Sequence, residues 1–191
     1  MIKTIYLYSL LLAFLFCKIS VSAQSPIDTA GIIRQLNAIY ERDQKTRANG
    51  DSIAYIDYID SCNLAQVERI IALYGWPGKS FISATGNYTI FLVIQHADLA
   101  TQEKYFPLFQ KSVDDGESRA MDMAYLQDRI LMRQGKKQVY GSQVVVNKAG
   151  SLEFYPIEDE KNVNLRRKNV GLGPMEEYAE YFGIDYKLPN D

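Results

Sequence analysis

Only one histidine occurs among the 191 residues, His96, and an imidazole is the one side chain that ordinarily titrates near neutral pH. To act as a general acid or base it needs an acceptor that orients the ring. Asp98 serves only if the helix carrying His96 has ended by Ala97, because residues two apart on a helix point in different directions. Asp128 is the better partner: it shares a partly apolar helical face with Ala124, Tyr125 and Met132, and Arg129 beside it, or Arg167, could stabilise an anion. An acid on such a face also calls for a cation, and if Arg166 or Arg167 supplies it the pair is structural. A second group lies in Gln138-Val139-Tyr140-Gly141-Ser142-Gln143. Strand alternation puts Gln138, Tyr140 and Ser142 on one face, and a bulge at Gly141 brings Gln143 round to join them. Amides and phenols offer fixed donors and acceptors but transfer protons poorly, so Gln138, Tyr140 and Gln143, together with Gln95, Asp98 and Arg167, point to recognition of a polar ligand such as a carbohydrate or peptide.

Other chemistries find little to work with. A Ser142, His96 and Asp128 triad lacks the strand-turn-helix glycines of a nucleophile elbow. One His and two Cys do not make the ligand spacing of a zinc or iron–sulfur motif, so no metal and no cofactor is expected. Gly171-Leu172-Gly173 lacks the third glycine and preceding strand of a dinucleotide loop. Net charge is −2 with no dense run of Lys and Arg, which argues against nucleic acid as a partner. With 47% hydrophobic residues the chain can build one ordinary globular domain without metal or disulfide support.

Residues 1–23 read as a secretory signal: Lys3, an apolar run from Ile5 to Phe16, then Val21-Ser22-Ala23 as a cleavage site before Gln24. That run is far short of the roughly 20 residues a membrane-spanning helix needs, so no stable span is expected after cleavage. Phe16 before Cys17 argues against lipoprotein anchoring at that cysteine, because small residues precede acylated ones. The protein is then expected to be exported, periplasmic or extracellular, with Cys62 as its remaining thiol, packed rather than bridged.

The elements that must position these residues follow from periodicity. Apolar residues at Ile32, Ile33, Leu36, Ile39 and Tyr40 predict a helix over residues 27–47. A short helix over 51–60 and another from a capping Asn63 to Tyr74 follow. Trp76, in the turn Tyr74-Gly75-Trp76-Pro77-Gly78, is expected to bridge helices. Tyr88 to Ile94 is apolar all round and reads as a buried central helix despite its β-branched residues. Asp98 caps the next helix, in which Pro107 predicts a kink or break, and a further helix covers 117–134. Strands at 139–147 and 152–155 flank Lys148-Ala149-Gly150 as a hairpin. Residues 158–168 are charged and irregular or weakly helical, and Pro174 opens a last helix closed by Gly183. The fold class is α+β, predominantly α: six or seven helices with one hairpin, in a single domain over 24–191.

In order along the chain stand Tyr74-Gly75-Trp76-Pro77, Gln95-His96-Ala97-Asp98, Asp128-Arg129, Gln138 to Gln143, Ile157-Glu158-Asp159 and Arg166-Arg167. In these words the chain resembles an uncharacterised family of bacterial proteins, a domain of unknown function, over about Asn37 to Phe182. The resemblance implies a single, mostly helical, often exported domain and supplies no reaction. Two functions are therefore expected in this order: a binding or interaction module for a polar ligand or protein, and, as the alternative, an extracytoplasmic hydrolase with His96 as acid/base and Asp128 as orienting carboxylate.

Overall fold

The computed structural model describes residues 27–189; the secretory-signal reading of 1–23, Cys17 included, lies outside the described residues. Helix α1, Thr29–Ala48, begins where the Asp28 carboxylate accepts a hydrogen bond from the Gly31 N–H. Its buried face runs Leu36, Ile39, Asp43, Thr46, a three-and-four spacing in which an acid continues the apolar stripe. Helix α2, Ile53–Tyr74, is one element where the sequence predicts two. Asn63 does not cap a third helix: no glycine or proline interrupts the chain there, and the buried stripe Ile59, Asn63, Val67, Ile70 carries the helix straight through.

Helix α3, Lys79–His96, is the central helix expected from its all-round apolar sequence, with Ile90 to Ile94 all buried. It is broken at Ser83, whose backbone is non-helical (φ 73°), and the Ser83 hydroxyl accepts from the Gly86 N–H as the cap of the longer second part. Ala97 is extended, so His96 is the last helical residue. Asp98 caps α4, Leu99–Asp114, by accepting from the Thr101 N–H at 2.8 Å, as expected. Pro107 does not break α4. It lies on the exposed face, where water can take the Glu103 carbonyl that proline leaves without a donor. Helix α5, Ala120–Arg133, starts three residues later than predicted, because Glu117 turns back to accept from the Ser80 N–H.

Helix α3 packs against α1, α2, α4 and α5, and Trp76 bridges them by stacking on Phe109, ring centres 4.4 Å apart. A second, smaller core of Ile157, Val163 and Met175 seats the rest of the chain. Strands β1, Val144–Val146, and β2, Leu152–Phe154, pair antiparallel in the register Val145↔Glu153, and Gly150 takes the left-handed turn position (φ 82°). The hairpin is shorter than the sequence suggests, because 139–143 leaves the sheet. A 3₁₀ turn leads into α6, Val163–Asn169, and Pro174 precedes α7, Met175–Phe182, with Gly183 left-handed behind it. The fold is thus α+β and predominantly α, seven α-helices and one hairpin among the described residues. No helix among them is long and apolar enough to cross a membrane. Cys62 is a free thiol, half-buried rather than packed away.

Candidate functional site

Asp128 has no exposed surface, and its carboxylate organises the segment that precedes the hairpin. Oδ1 accepts from the Val139 N–H at 2.7 Å, and Oδ2 from the Ser142 N–H at 2.9 Å, with the Tyr140 N–H shared between them. Gln138, equally buried, closes the same loop: its Oε1 accepts from the Gln143 N–H and its Nε2 donates to the Gln143 and Tyr155 carbonyls. Arg166 donates to the Val139 carbonyl, Arg167 to those of Tyr140 and Gly173, and the Tyr178 hydroxyl to that of Ser142. Gly141 sits at φ 67°, and a Cβ there would run into Met175 and Ile157. The alternation expected for Gln138, Tyr140 and Ser142 does not arise, because 139–143 wraps around a carboxylate instead of lying in a sheet. Gln143 is buried rather than brought round to a polar face.

His96 is elsewhere in this geometry. No hydrogen bond joins it to Asp128, whose oxygens are filled by backbone donors, nor to any other group among the described residues. The charges that act on it come from other helices. Asp43 of α1, 2% exposed, accepts from Arg47 one turn on, at 3.1 Å, and Arg47 reaches Asp60 of α2 at 2.7 Å. Burial, then the Arg47 guanidinium, push the His96 imidazole down to about 4, against the opposing pull of Asp43 and Asp60; Arg129 adds to the depression. The ring is therefore neutral at physiological pH. Arg133 of α5 donates to the Ala97 carbonyl at 2.6 Å, which holds the face carrying Arg129, one turn earlier, against the end of α3.

A cleft of about 290 Å³ opens at His96, lined by Asp57, Asp60, Ser61, Leu64, Ala97 and Asp98. Two polar side chains outside its lining have no partner. Asn63, one turn beyond Asp60, is 1% exposed with neither its Oδ1 nor its Nδ2 bonded. Arg129 makes no hydrogen bond or ion pair among the described residues, its Nε is buried without an acceptor, and burial lowers its affinity for its proton. The structure thus puts His96 and Asp98 in the wall of one cleft, with Arg129 outside that wall but near enough for its charge to act on the ring. Asp128, Gln138, Gln143 and Arg167 are gathered into the separate loop network, and Gln95 lends its carbonyl to Gln102 at 2.7 Å. Tyr140 contributes backbone to that network, while burial, then Asp128, raise its phenol. Asp43, Arg47, Asp60 and Asn63 were missed by reasoning from motifs. Their signal was present: Asp43 and Asn63 interrupt apolar stripes at positions where a hydrophobic residue belongs. Among the described residues no group of three or more His, Cys, Asp or Glu side chains is placed to hold a metal.

A family model described as a family of unknown function, DUF6624, matches residues 28–189. No curated protein matches the chain, and no solved structure does.

Proposed function

The chain belongs to the DUF6624 family of unknown function, and from there we propose that it is an exported module that binds a small polar ligand in the His96 cleft. One observation carries the reading: His96, bonded to no other described group, stands in the wall of a cleft, and one helical turn from Asp60 of that wall Asn63 is buried with both ends of its amide unbonded. Native proteins pair more than nine in ten of their buried polar groups, and the exceptions mark places where something else completes the hydrogen bonding. A neutral imidazole supplies one donor and one acceptor, and an amide adds two of each, which is the equipment of recognition.

The hydrolytic alternative, with His96 as acid/base and Asp128 as orienting carboxylate, has less behind it. Asp128 is engaged by three backbone donors, and an imidazole held at about 4 is a weak base at neutral pH. Export rests on residues 1–23, and N-terminal sequencing of protein recovered from the periplasm or medium is expected to begin at Gln24. Binding is tested by a thermal-shift screen of sugars, amino acids, nucleotides and peptides against the wild type and His96→Ala. Ligands that raise Tm of the wild type and not of the variant support the reading. A screen in which every hit acts equally on both sinks it.

A further inference from the structure

Arg167 of α6 is 2% exposed, yet the protein uses only part of its guanidinium. Nε donates to the Gly173 carbonyl at 2.6 Å and Nη1 to that of Tyr140 at 2.8 Å, while Nη2 bonds to nothing among the described residues and is not sealed from solvent. The little surface that Arg167 keeps lines a cavity of about 580 Å³ between α5, the loop 172–174 and α7, so Nη2 opens there. The guanidinium lies over the Tyr178 ring, 4.8 Å from its centre, and Tyr125, Leu172, Pro174, Tyr181 and Phe182 make the walls aromatic and apolar. Tyr181 is 83% exposed, with Phe182 edge-on to it at 5.0 Å between ring centres. Glu177 lines the same cavity from its exposed side and makes no hydrogen bond or ion pair among the described residues. No residue of this lining belongs to the His96 cleft.

We propose that this cavity is a second binding site and that its ligand is a short saccharide, held against Tyr181 and Phe182 by its ring face and hydrogen-bonded to Arg167 Nη2 and Glu177. Its volume suits a small molecule, and mostly apolar walls with a few placed polar groups are the usual make-up of such sites. The C–H face of a pyranose carries partial positive charge and matches the negative face of an aromatic ring. A sugar hydroxyl both accepts and donates, so one ring can complete Nη2 and Glu177 together. Other ligands complete less. A purely apolar molecule dries Nη2 and leaves it unpaired. An anion satisfies Nη2 but brings its charge toward Glu177, and the Asp128 charge already acts on Arg167. A proline-rich peptide offers carbonyls to Nη2 but has no N–H at its prolines for Glu177.

The test titrates the mature chain with cellobiose, maltose, lactose and N,N′-diacetylchitobiose, and with sodium benzoate and tetraproline as the competing chemistries. Saturation transfer to each probe and the aromatic C–H signals of the protein are read by NMR. The expected result is saturable binding of at least one disaccharide, with the strongest transfer to its ring C–H protons. Tyr181→Ala, which removes an exposed side chain and spares the core, should weaken that binding about 10-fold. Glu177→Gln, which keeps an acceptor, should weaken it less, and His96→Ala should leave it unchanged. These two surface variants carry the test because Arg167 also holds the backbone at Tyr140 and Gly173, so replacing it perturbs the fold. Saccharide binding undiminished in Tyr181→Ala overturns the proposal, and its loss in His96→Ala instead assigns the sugar to the His96 cleft. Benzoate or tetraproline binding that Tyr181→Ala weakens, with no disaccharide bound, keeps the cavity and overturns the saccharide. No binding of any probe overturns the site.

Discussion

Asp128 and Arg129 are neighbours on α5, yet they face two regions that treat buried polar groups in opposite ways. On one side the Asp128 carboxylate, the Gln138 amide and Nη1 of Arg167 satisfy the backbone of residues 138–143 and are satisfied by it. On the other side His96, Asn63 and Arg129 have donors and acceptors left over. Both regions are polar and enclosed, so burial alone does not distinguish a site from a scaffold. What distinguishes them is whether the fold itself completes the hydrogen bonding. A closed network serves rigidity; an open one is available to a ligand. The Asp128 loop also has a mechanical consequence, since it fixes the chain between α5 and the hairpin by side chains from α5, α6 and α7.

The largest effect is expected at Asp128. Asp128→Ala leaves three backbone N–H groups without an acceptor, at roughly 1–3 kcal/mol each before relaxation, so a loss of about 3–5 kcal/mol should appear in urea unfolding. A loss below about 1 kcal/mol would mean that water replaces the carboxylate and that this region is as open as the other. Next comes the pH dependence that His96 imposes. Its folded-state pKa, about 4, lies below the 6.5 of a free imidazole, so between these values the unfolded chain binds the extra proton. The contribution is fully present above pH 6.5 and is lost as pH falls toward 4. At 1.36 kcal/mol per unit it reaches at most about 3 kcal/mol, less with partial solvation. His96→Asn should flatten that part of the curve, and an unchanged slope from pH 7 to 4.5 would remove His96 as its source.

Gly141→Ala should cost roughly 2 kcal/mol, from the positive φ and the collision with Met175, read as a drop in the urea midpoint with unchanged slope. The smallest change is expected at the open site. Asn63→Leu replaces an unbonded amide by an apolar group of similar size, and should be neutral or stabilising by about 1 kcal/mol, whereas Gln138→Leu, in the closed network, should destabilise clearly. If both leucines destabilise alike, Asn63 belongs to a closed network after all.

Much of the fold was legible locally. The three-and-four spacing from Ile32 to Tyr40, the cap at Asp98, the turn at Gly150 and the proline that opens α7 are short-range signals, and each produced the element it predicts. Tyr88 to Ile94 was harder, because an all-apolar run has no periodicity; length and neighbours decided for helix, and the surrounding α1, α2, α4 and α5 supply the burial that makes it stable there. The site was legible only in part. His96 and Arg129 could be singled out by residue type, but their assignment to Asp128 and to the Tyr140 strand failed for a geometric reason. Adjacent residues on a helix point about 100° apart, so two words that lie close in sequence can serve different faces.

What the sequence determined by itself is most of the helices, the hairpin turn, the single histidine and the absence of motifs for the common chemistries, because all of these depend on spacing and composition within a few residues. Only the tertiary structure decided that 139–143 wraps a carboxylate rather than joining a sheet, since three N–H donors to one buried acid outweigh the ladder bonds of an edge strand. It alone also decided that the charges of Asp43, Arg47 and Asp60 act on His96. With His96 itself they come from three helices separated by turns, and which faces touch is set by how those helices pack, a long-range property that no local window contains.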